Sequence, residues 1–264
     1  MKNLLFPTDF SEASRHALQY AIDFASSFGA VIDVWTVYQL SALDAGNLPP
    51  VYIEELIREK RAQLEEQMTE FIREVPPAVL RQSGLQYGID VSYEINKLAE
   101  KYDFIIMATH GARNQIEKWL GSVTTQVLRH APCPVLVIPG EATFSKHFHL
   151  VHASNFEEGE EQAMVQLKQF SQMVQAKVSV IHVGRPDEIE KEGIGSFPYL
   201  KELGSFHQIT NEDVVAGIFQ YLEENEPAIL SLYLPTRGFF SDLIHKSVSK
   251  QITFQIQRPI LGLG

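Results

Sequence analysis

The run Met107-Ala108-Thr109-His110-Gly111, followed after nine residues by Gly121-Ser122-Val123, has the residue types and spacing for phosphate chemistry. It leaves an apolar run, Phe104-Ile105-Ile106-Met107, that reads as a buried strand. It enters a helical stretch, Val123 to Arg129, that leads into Pro132. The first amides of a helix lack intrahelical partners and lie at the positive end of its dipole, so they attract anions. Glycine lets an anion approach the backbone, and Ser122 adds a hydroxyl donor. The pattern is neither a P-loop, since no Gly-Lys-Ser/Thr follows, nor the Gly-x-Gly-x-x-Gly dinucleotide fingerprint. A strand-to-helix turn whose glycines serve only positive φ, and which binds nothing, would carry the same residues. This segment alone leaves both readings open.

Length, charge and cysteine usage narrow the classes. A chain of 264 residues is long enough for two domains of ordinary size, each with its own core. The net charge of −11 and the absence of a basic stripe argue against a nucleic-acid partner. Arg58-Glu59-Lys60-Arg61 interleaves both signs and reads as a solvated helix face. The single cysteine, Cys133, excludes an intrachain disulfide, fits a reducing cytoplasm, and reads as a buried structural thiol between Pro132 and Pro134. No apolar run is long enough for a membrane span, and Met1 to Pro7 is too short for a signal peptide. The expectation is a soluble, cytoplasmic protein.

The elements that must position the phosphate motif alternate between strand and helix over the first 140 residues, as in a parallel sheet covered by helices. Leu4–Pro7 reads as a first strand. Ser11 is the candidate cap of a helix whose apolar face is Ala17, Leu18, Ala21, Ile22 and Ala25, and Gly29 ends it. Val31–Val37 is a second strand, and residues 38–50 form a loop. Ile53, Leu56, Ile57, Leu64, Met68, Phe71 and Ile72 mark a long amphipathic helix that stops near Pro76-Pro77. A weak third strand is expected around Leu85–Gly88. Asp90 caps a helix to about Tyr102, Asp103–Ala108 is the fourth strand and Cys133–Ile138 the fifth.

The chain then repeats. A shift of 146 carries Phe10, Ala17, Phe24, Ala30, Val34 and Val37 onto Phe156, Ala163, Phe170, Ala176, Val180 and Val183. A shift of 125 carries Val123, Gln126, Pro134 and Leu136 onto Val248, Gln251, Pro259 and Leu261. The reading is a duplicated α/β unit, residues 1–140 and 147–264, joined near 140–147. Chemistry differs between the copies: Asp9 becomes Asn155, Thr109-His110-Gly111 becomes Thr236-Arg237-Gly238 after Pro235, and Gly121-Ser122 becomes Lys246-Ser247. Proline has no amide to donate, so the second copy reads as having lost the phosphate geometry. Residues 186–204 read as a surface excursion of that copy.

Leu5-Phe6-Pro7-Thr8-Asp9-Phe10-Ser11, Met107 to Gly111 with Gly121-Ser122-Val123 beyond it, and His130-Ala-Pro-Cys-Pro-Val-Leu-Val-Ile138 together resemble the universal stress protein family. The resemblance covers residues 2–139 well and residues 148–262 in degenerate form. It implies two tandem Rossmann-like, adenine nucleotide alpha hydrolase-like α/β domains, each a five-stranded parallel sheet of order 3-2-1-4-5 with helices on both faces. Ligands in such sheets bind beyond the carboxyl ends of the strands, here between strands 1 and 4.

By resemblance to ATP-binding members, Asp9 and the backbone at Val37 contact the adenine edge, with Pro7 and Thr8 lining the pocket. Met107, Ala108, Gly111, Gly121, Ser122 and Val123 contact ribose and phosphates, with Mg²⁺ as a possible companion of the nucleotide. Ala108 departs from the family's glycine, and a methyl there is compatible with the site if its φ is negative. The implied function is a stress-response sensor or signalling module holding ATP in the first half only. The other readings are a protein-interaction scaffold with a vestigial site and a weak ATPase. No catalytic residue is assigned, because no general base stands at a γ-phosphate.

The family pairs its units through strand 5, which implies an intramolecular pseudo-dimer joined at Val135–Ile138 and Ile260-Leu261, with further homodimerisation open. Asp9 could instead cap the first helix. His110, Arg113 and Lys118 read as solvated, and His16, His130, His147, His149 and His152 show no metal-ligand spacing.

Overall fold

The computed structural model describes residues 2–40, 50–109, 120–184, 203–234 and 258–264. Strand β1 is Lys2–Pro7 and helix α1 is Glu12–Phe28. The Ser11 side chain accepts from the Ser14 amide to cap α1, and Gly29 closes it in the left-handed region at φ 67°. Strand β2, Ala30–Tyr38, precedes helix α2, Pro50–Phe71, which a short 3₁₀ turn extends before Pro76. Then come β3 (Leu80–Tyr87), α3 (Val91–Ala99, capped by Asp90), β4 (Phe104–Ala108), α4 (Ser122–His130) and β5 (Val135–Ile138). The remaining elements are β6 (His149–Ala153), α5 (Glu160–Val174), β7 (Lys177–Gly184), β8 (Ser205–Thr210), α6 (Val214–Glu224), β9 (Ala228–Tyr233) and β10 (Ile260–Leu263).

All ten strands form one sheet in the order β3-β2-β1-β4-β5-β10-β9-β6-β7-β8. Every neighbouring pair is parallel except β5 and β10, which run antiparallel with Leu261 opposite Leu136. Strand alternation sends successive side chains to opposite faces. Leu4, Phe6, Ile106 and Leu136 meet α1, α2 and α5 on one face. Leu5, Ile105, Met107 and Val137 meet α3, α4 and α6 on the other. Phe24 of α1 stacks on Phe170 of α5, with ring centroids 6.1 Å apart, so the cores on the first face are continuous across the seam.

Two elements differ from the sequence reading. The third strand begins at Leu80 rather than near Leu85, because an edge strand pairs on one side only and tolerates Arg81, Gln82 and Ser83. The helix after Asp90 ends at Ala99, short of Tyr102, whose side chain instead serves the core. Cys133 is buried, and burial, followed by the charge of Asp103, pushes its thiol up to about 12, as suits a structural residue. Most of the 186–204 excursion, and residues 235–257 with the whole degenerate Thr236 motif, lie outside the described residues.

The edge of the sheet is pinned by a carboxylate. Asp33 of β2 is fully buried and accepts from Arg81 Nε (2.8 Å) and Nη2 (2.6 Å), from the Tyr102 hydroxyl (2.6 Å) and from Gln82. Burial acts to raise its pKa, but the hydrogen bonds from Arg81, Tyr102 and Gln82 prevail and hold it below the ordinary carboxylate range. A depressed carboxylate adds stability above its unfolded pKa, about 4, that is lost as pH falls through its folded value. Asp33→Ala is therefore expected to cost about 2–3 kcal/mol at pH 7, the order of losing hydrogen bonds to a charged group. The difference from wild type should shrink in urea melts below pH 4. A cost that does not change between pH 7 and pH 3 would contradict an ionised Asp33.

Candidate functional site between β1 and β4

Strand β1 lies between β2 and β4, so the chain crosses over in opposite directions on its two sides and leaves a crevice beyond its carboxyl end. Pro7 is buried as the last residue of β1. Beyond it, the Thr8 amide donates to Trp35 O (2.9 Å) and Thr36 Oγ1 donates to Thr8 O (3.0 Å), clamping the ends of β1 and β2 together. Phe10 then takes a left-handed conformation, φ 62°, unusual for an aromatic residue. Its amide donates to Thr8 Oγ1 (3.0 Å), and its ring packs edge-on against Phe71, 5.4 Å between centroids.

The turn presents Asp9 to solvent, with Oδ1 accepting from the Ser11 amide (3.1 Å) and from Ser14 Oγ (2.8 Å). Ser11, not Asp9, caps α1, so the alternative reading of Asp9 as the cap does not hold. Asp9 braces the turn instead. Val37 is half-buried near the end of β2, opposite Gln86.

On the other side of the crevice, Met107 and Ala108 end β4, paired with Val137 and Ile138. Among the described residues, the non-glycine positions with positive φ are Phe10, Phe156 and Gln175, so the Ala108 methyl meets its backbone condition. The Thr109 amide donates to Ile138 O (3.2 Å), and Thr124 Oγ1 donates to Ala108 O (3.1 Å). Gly121 N donates to Thr109 O (2.8 Å), so the start of α4 is tied directly to the end of β4.

Two expectations change here. Gly121 sits at φ −64°, ψ 158°, an extended backbone, so a need for positive φ does not explain this glycine. Its amide is also committed to Thr109 O in this structure, so a role for Gly121 toward phosphate would rest on close approach to the backbone rather than on its own N–H. The first intrahelical bond runs from Thr125 N to Gly121 O, which leaves the amides of Ser122, Val123 and Thr124 as the donors of the helix start. Gly111, His110, Arg113 and Lys118 lie outside the described residues.

The helix starts differ in how they are closed. Side chains of Ser11, Asp90 and Asp213 cap α1, α3 and α6. At α4 no side chain caps the helix and no acid stands in its first turn, while Arg129 and His130 occupy the last turn. The partial positive charge of that end is uncompensated among the described residues and faces the crevice. Ser14 and Thr109 were named from sequence only as a neighbour of the Ser11 cap and as part of the motif, and Thr124, which holds the helix start, was not named. Their only signal was a hydroxyl beside a motif residue.

The same turn recurs at β6. Ser154 N donates to Ile181 O (2.9 Å), Phe156 N donates to Ser154 Oγ (3.2 Å), His182 Nδ1 lies 3.0 Å from Ser154 O, and Phe156 has φ 55°. Each of these corresponds to its first-half partner by the shift of 146. Two open clefts of about 400 Å³ lie away from both turns, one around Lys146, His149 and Lys177 and one around Glu141, Glu223 and Arg258. In the first, the carboxyl ends of α5 and α6 arrive at Gln175 and Asn225, and Lys146 and Lys177 offset their negative dipole ends.

The model of the universal stress protein family matches residues 1–139. A universal stress protein of Methanocaldococcus jannaschii is 30% identical over 148 residues, covering 52% of this chain and 81% of that protein. Universal stress protein A homolog 1 of Coxiella burnetii is 31% identical over 143 residues, covering 52% of this chain and 95% of its own length. In fold alone, the crystal structure of a universal stress protein from Archaeoglobus fulgidus matches with a TM-score of 0.68 at 24% identity, over 98% of this chain and 95% of that one. Geometry at the β1–β4 crevice and sequence over its whole first half lead to the same place: this chain belongs to the universal stress protein family.

Proposed function

We propose that the crevice between β1 and β4 binds ATP, with Mg²⁺ as its companion, and that the chain works in the cytoplasm as a nucleotide-holding stress-response sensor or signalling module. The observation that carries this reading is the uncapped start of α4, tied to the end of β4 across the crevice from the braced Asp9. Phosphate would be held by the amides of Ser122, Val123 and Thr124 and by the Ser122 hydroxyl. Adenine would lie near Asp9, Pro7, Thr8 and the backbone of Val37, with ribose against Met107 and Ala108 and Gly111 completing the loop. Asp9 is the acid nearest this path and is engaged with Ser11 and Ser14, so the residues described offer no base for fast hydrolysis.

The two halves are proposed to be duplicated domains, residues 1–140 and 147–264, fused as an intramolecular pseudo-dimer. At a two-fold axis equivalent residues touch each other. Leu136 opposite its counterpart Leu261, and Phe24 stacked on its counterpart Phe170, support such an axis through the seam.

Calorimetry with MgATP tests the reading, the expected stoichiometry being one per chain. Ser122→Ala should weaken binding by about 1–3 kcal/mol, the value of a hydrogen bond to a charged group. Two equivalent sites would refute the asymmetry. No heat at all with Mg²⁺ present would replace the nucleotide reading with that of an interaction scaffold.

A further inference from the structure

Tyr233 ends β9 at the position that Ala108 holds at the end of β4: the strand registers follow the shift of 125, so Tyr233, and not Pro235 as the Thr236 motif match implied, is the counterpart of Ala108. Its strand lies directly beside β6, with Ala153 opposite Leu232, so Tyr233 stands at the mouth of the second half's own crevice. The phenol hydroxyl reaches Glu158 O, 3.5 Å away, in the turn that precedes α5. A Cβ added to Gly159, the N-cap of α5, would lie 2.6 Å from the same hydroxyl. The side chain therefore crosses from the end of β9 to the start of α5, over the crevice between β9 and β6. In the first half a methyl group occupies the corresponding place and leaves the path from Asp9 to α4 unobstructed by this residue.

The floor beneath the ring also differs. Glu160, at the counterpart of Ser14, is buried in the first turn of α5, with Oε1 2.9 Å from His152 Nε2 and Oε2 accepting from Ser154 Oγ (3.0 Å). A carboxylate held there compensates the helix dipole from inside. Burial, with the nearby charges of Glu157 and Glu160, raises the phenol's pKa and keeps the hydroxyl protonated as a donor.

We propose that Tyr233 is a built-in occupant of the second crevice, filling with its own ring the space where a ligand's ribose would pass and so making the chain one-sited. The part concerning ribose rests on the nucleotide reading of the first half; the occupancy itself does not. A side chain tethered at the site excludes competitors at high effective concentration.

Two experiments test it. In the first, Gly159→Ala is made in the wild-type and Tyr233→Phe backgrounds. Strain at φ 89° is common to both, but the hydroxyl clash is present only with tyrosine. The fall in Tm should be larger by several degrees in the wild-type background. Equal falls would mean that the hydroxyl does not sit against Gly159, and would overturn the proposal.

In the second, Tyr233→Ala is titrated with p-cresol, the shape of the missing side chain. A rise in Tm and saturable amide shifts at Ser154 and Glu158 to Glu160 should appear in the variant and be absent from wild type. The same response in both proteins would overturn the occupancy. If Tyr233→Ala does not fold, the first experiment decides. Adenosine serves as the separate probe of the nucleotide reading. Shifts at Asp9 and Ser122 in every protein report the first crevice, and shifts at Ser154 to Glu160 in Tyr233→Ala alone report the opened second one. Adenosine shifts at Asp9 with neither p-cresol nor adenosine shifts near Glu160 would sink the occupant and leave the first site standing. The opposite pattern would sink the first site only.

Discussion

Gly121→Val is expected to abolish the ATP-induced rise in Tm while the protein still folds. At φ −64°, ψ 158°, valine adopts the backbone without strain, so the loss cannot come from a forbidden conformation. Gly121 is buried beside the knot that joins Thr109 O to its amide and Ala108 O to Thr124 Oγ1. An added isopropyl group there must crowd that knot or project into the crevice. Crowding costs about 1–3 kcal/mol, a ligand-free fall of a few degrees in a chain of this size. Projection puts carbon where phosphate oxygen has to meet the amides of Ser122, Val123 and Thr124. Wild type at a hundredfold excess of ATP over its Kd should gain about 2.7 kcal/mol, or roughly 5–10 °C. The variant should gain nothing. Asp9→Ala is the companion measurement: it should retain a shift but lose the preference for ATP over GTP, because the adenine edge has lost its acceptor. A full ATP shift in Gly121→Val would place the nucleotide elsewhere on the molecule.

Much of this geometry was legible before any coordinates. Ser11, Gly29 and Asp90 act locally, through bonds to backbone a few residues away, so the helix ends they set could be read from residue type alone. The shift of 146 was legible because core positions repeat, and it reappears as matching hydrogen bonds at Thr8 and Ser154. The extent of β3 was not legible. Its first residues are polar, and what makes them a strand is the Asp33 carboxylate of the neighbouring β2, a partner 48 residues away from Arg81. The commitment of the Gly121 amide to Thr109 was hidden for the same reason, since nothing local distinguishes a free helix-start amide from one bonded across a loop. The second half was read as having lost the phosphate geometry through Pro235 and through Lys246 in place of the helix-start glycine, in a segment outside the described residues. The structure adds what composition could not: Tyr233, His152 and Glu160 are distant in sequence or ordinary in type, and only the fold brings them to one crevice.

Cutting the buried pair in that crevice should be the most destabilising single change among the second half's polar residues. His152 and Glu160 are essentially unexposed. His152 Nδ1 lies 3.0 Å from Ser231 Oγ, Nε2 lies 2.9 Å from Glu160 Oε1, and Ser154 closes the chain at Oε2. His152→Ala removes a partner without removing the carboxylate, which then keeps the Ser154 hydroxyl. Breaking a buried pair in this way costs about 3–5 kcal/mol. Desolvation makes the pair itself a poor source of net stability, so removing all of it should be far milder than removing half. The first half supplies the replacement set. Phe6, Ser14 and Ile106 are the counterparts of His152, Glu160 and Ser231; Phe6 and Ile106 pack buried in the layer beneath α1, and Ser14 is buried in the first turn of α1 itself. His152→Phe, Glu160→Ser and Ser231→Ile made together should therefore recover most of the stability that His152→Ala loses, measured as urea midpoints at pH 7. If the single variant costs less than about 1 kcal/mol, the pair is not held dry, and a second crevice closed from below by its own carboxylate is the wrong picture. If the single variant is severe and the triple variant equally so, the network does more than replace an apolar core, and the two halves differ in packing as well as in chemistry.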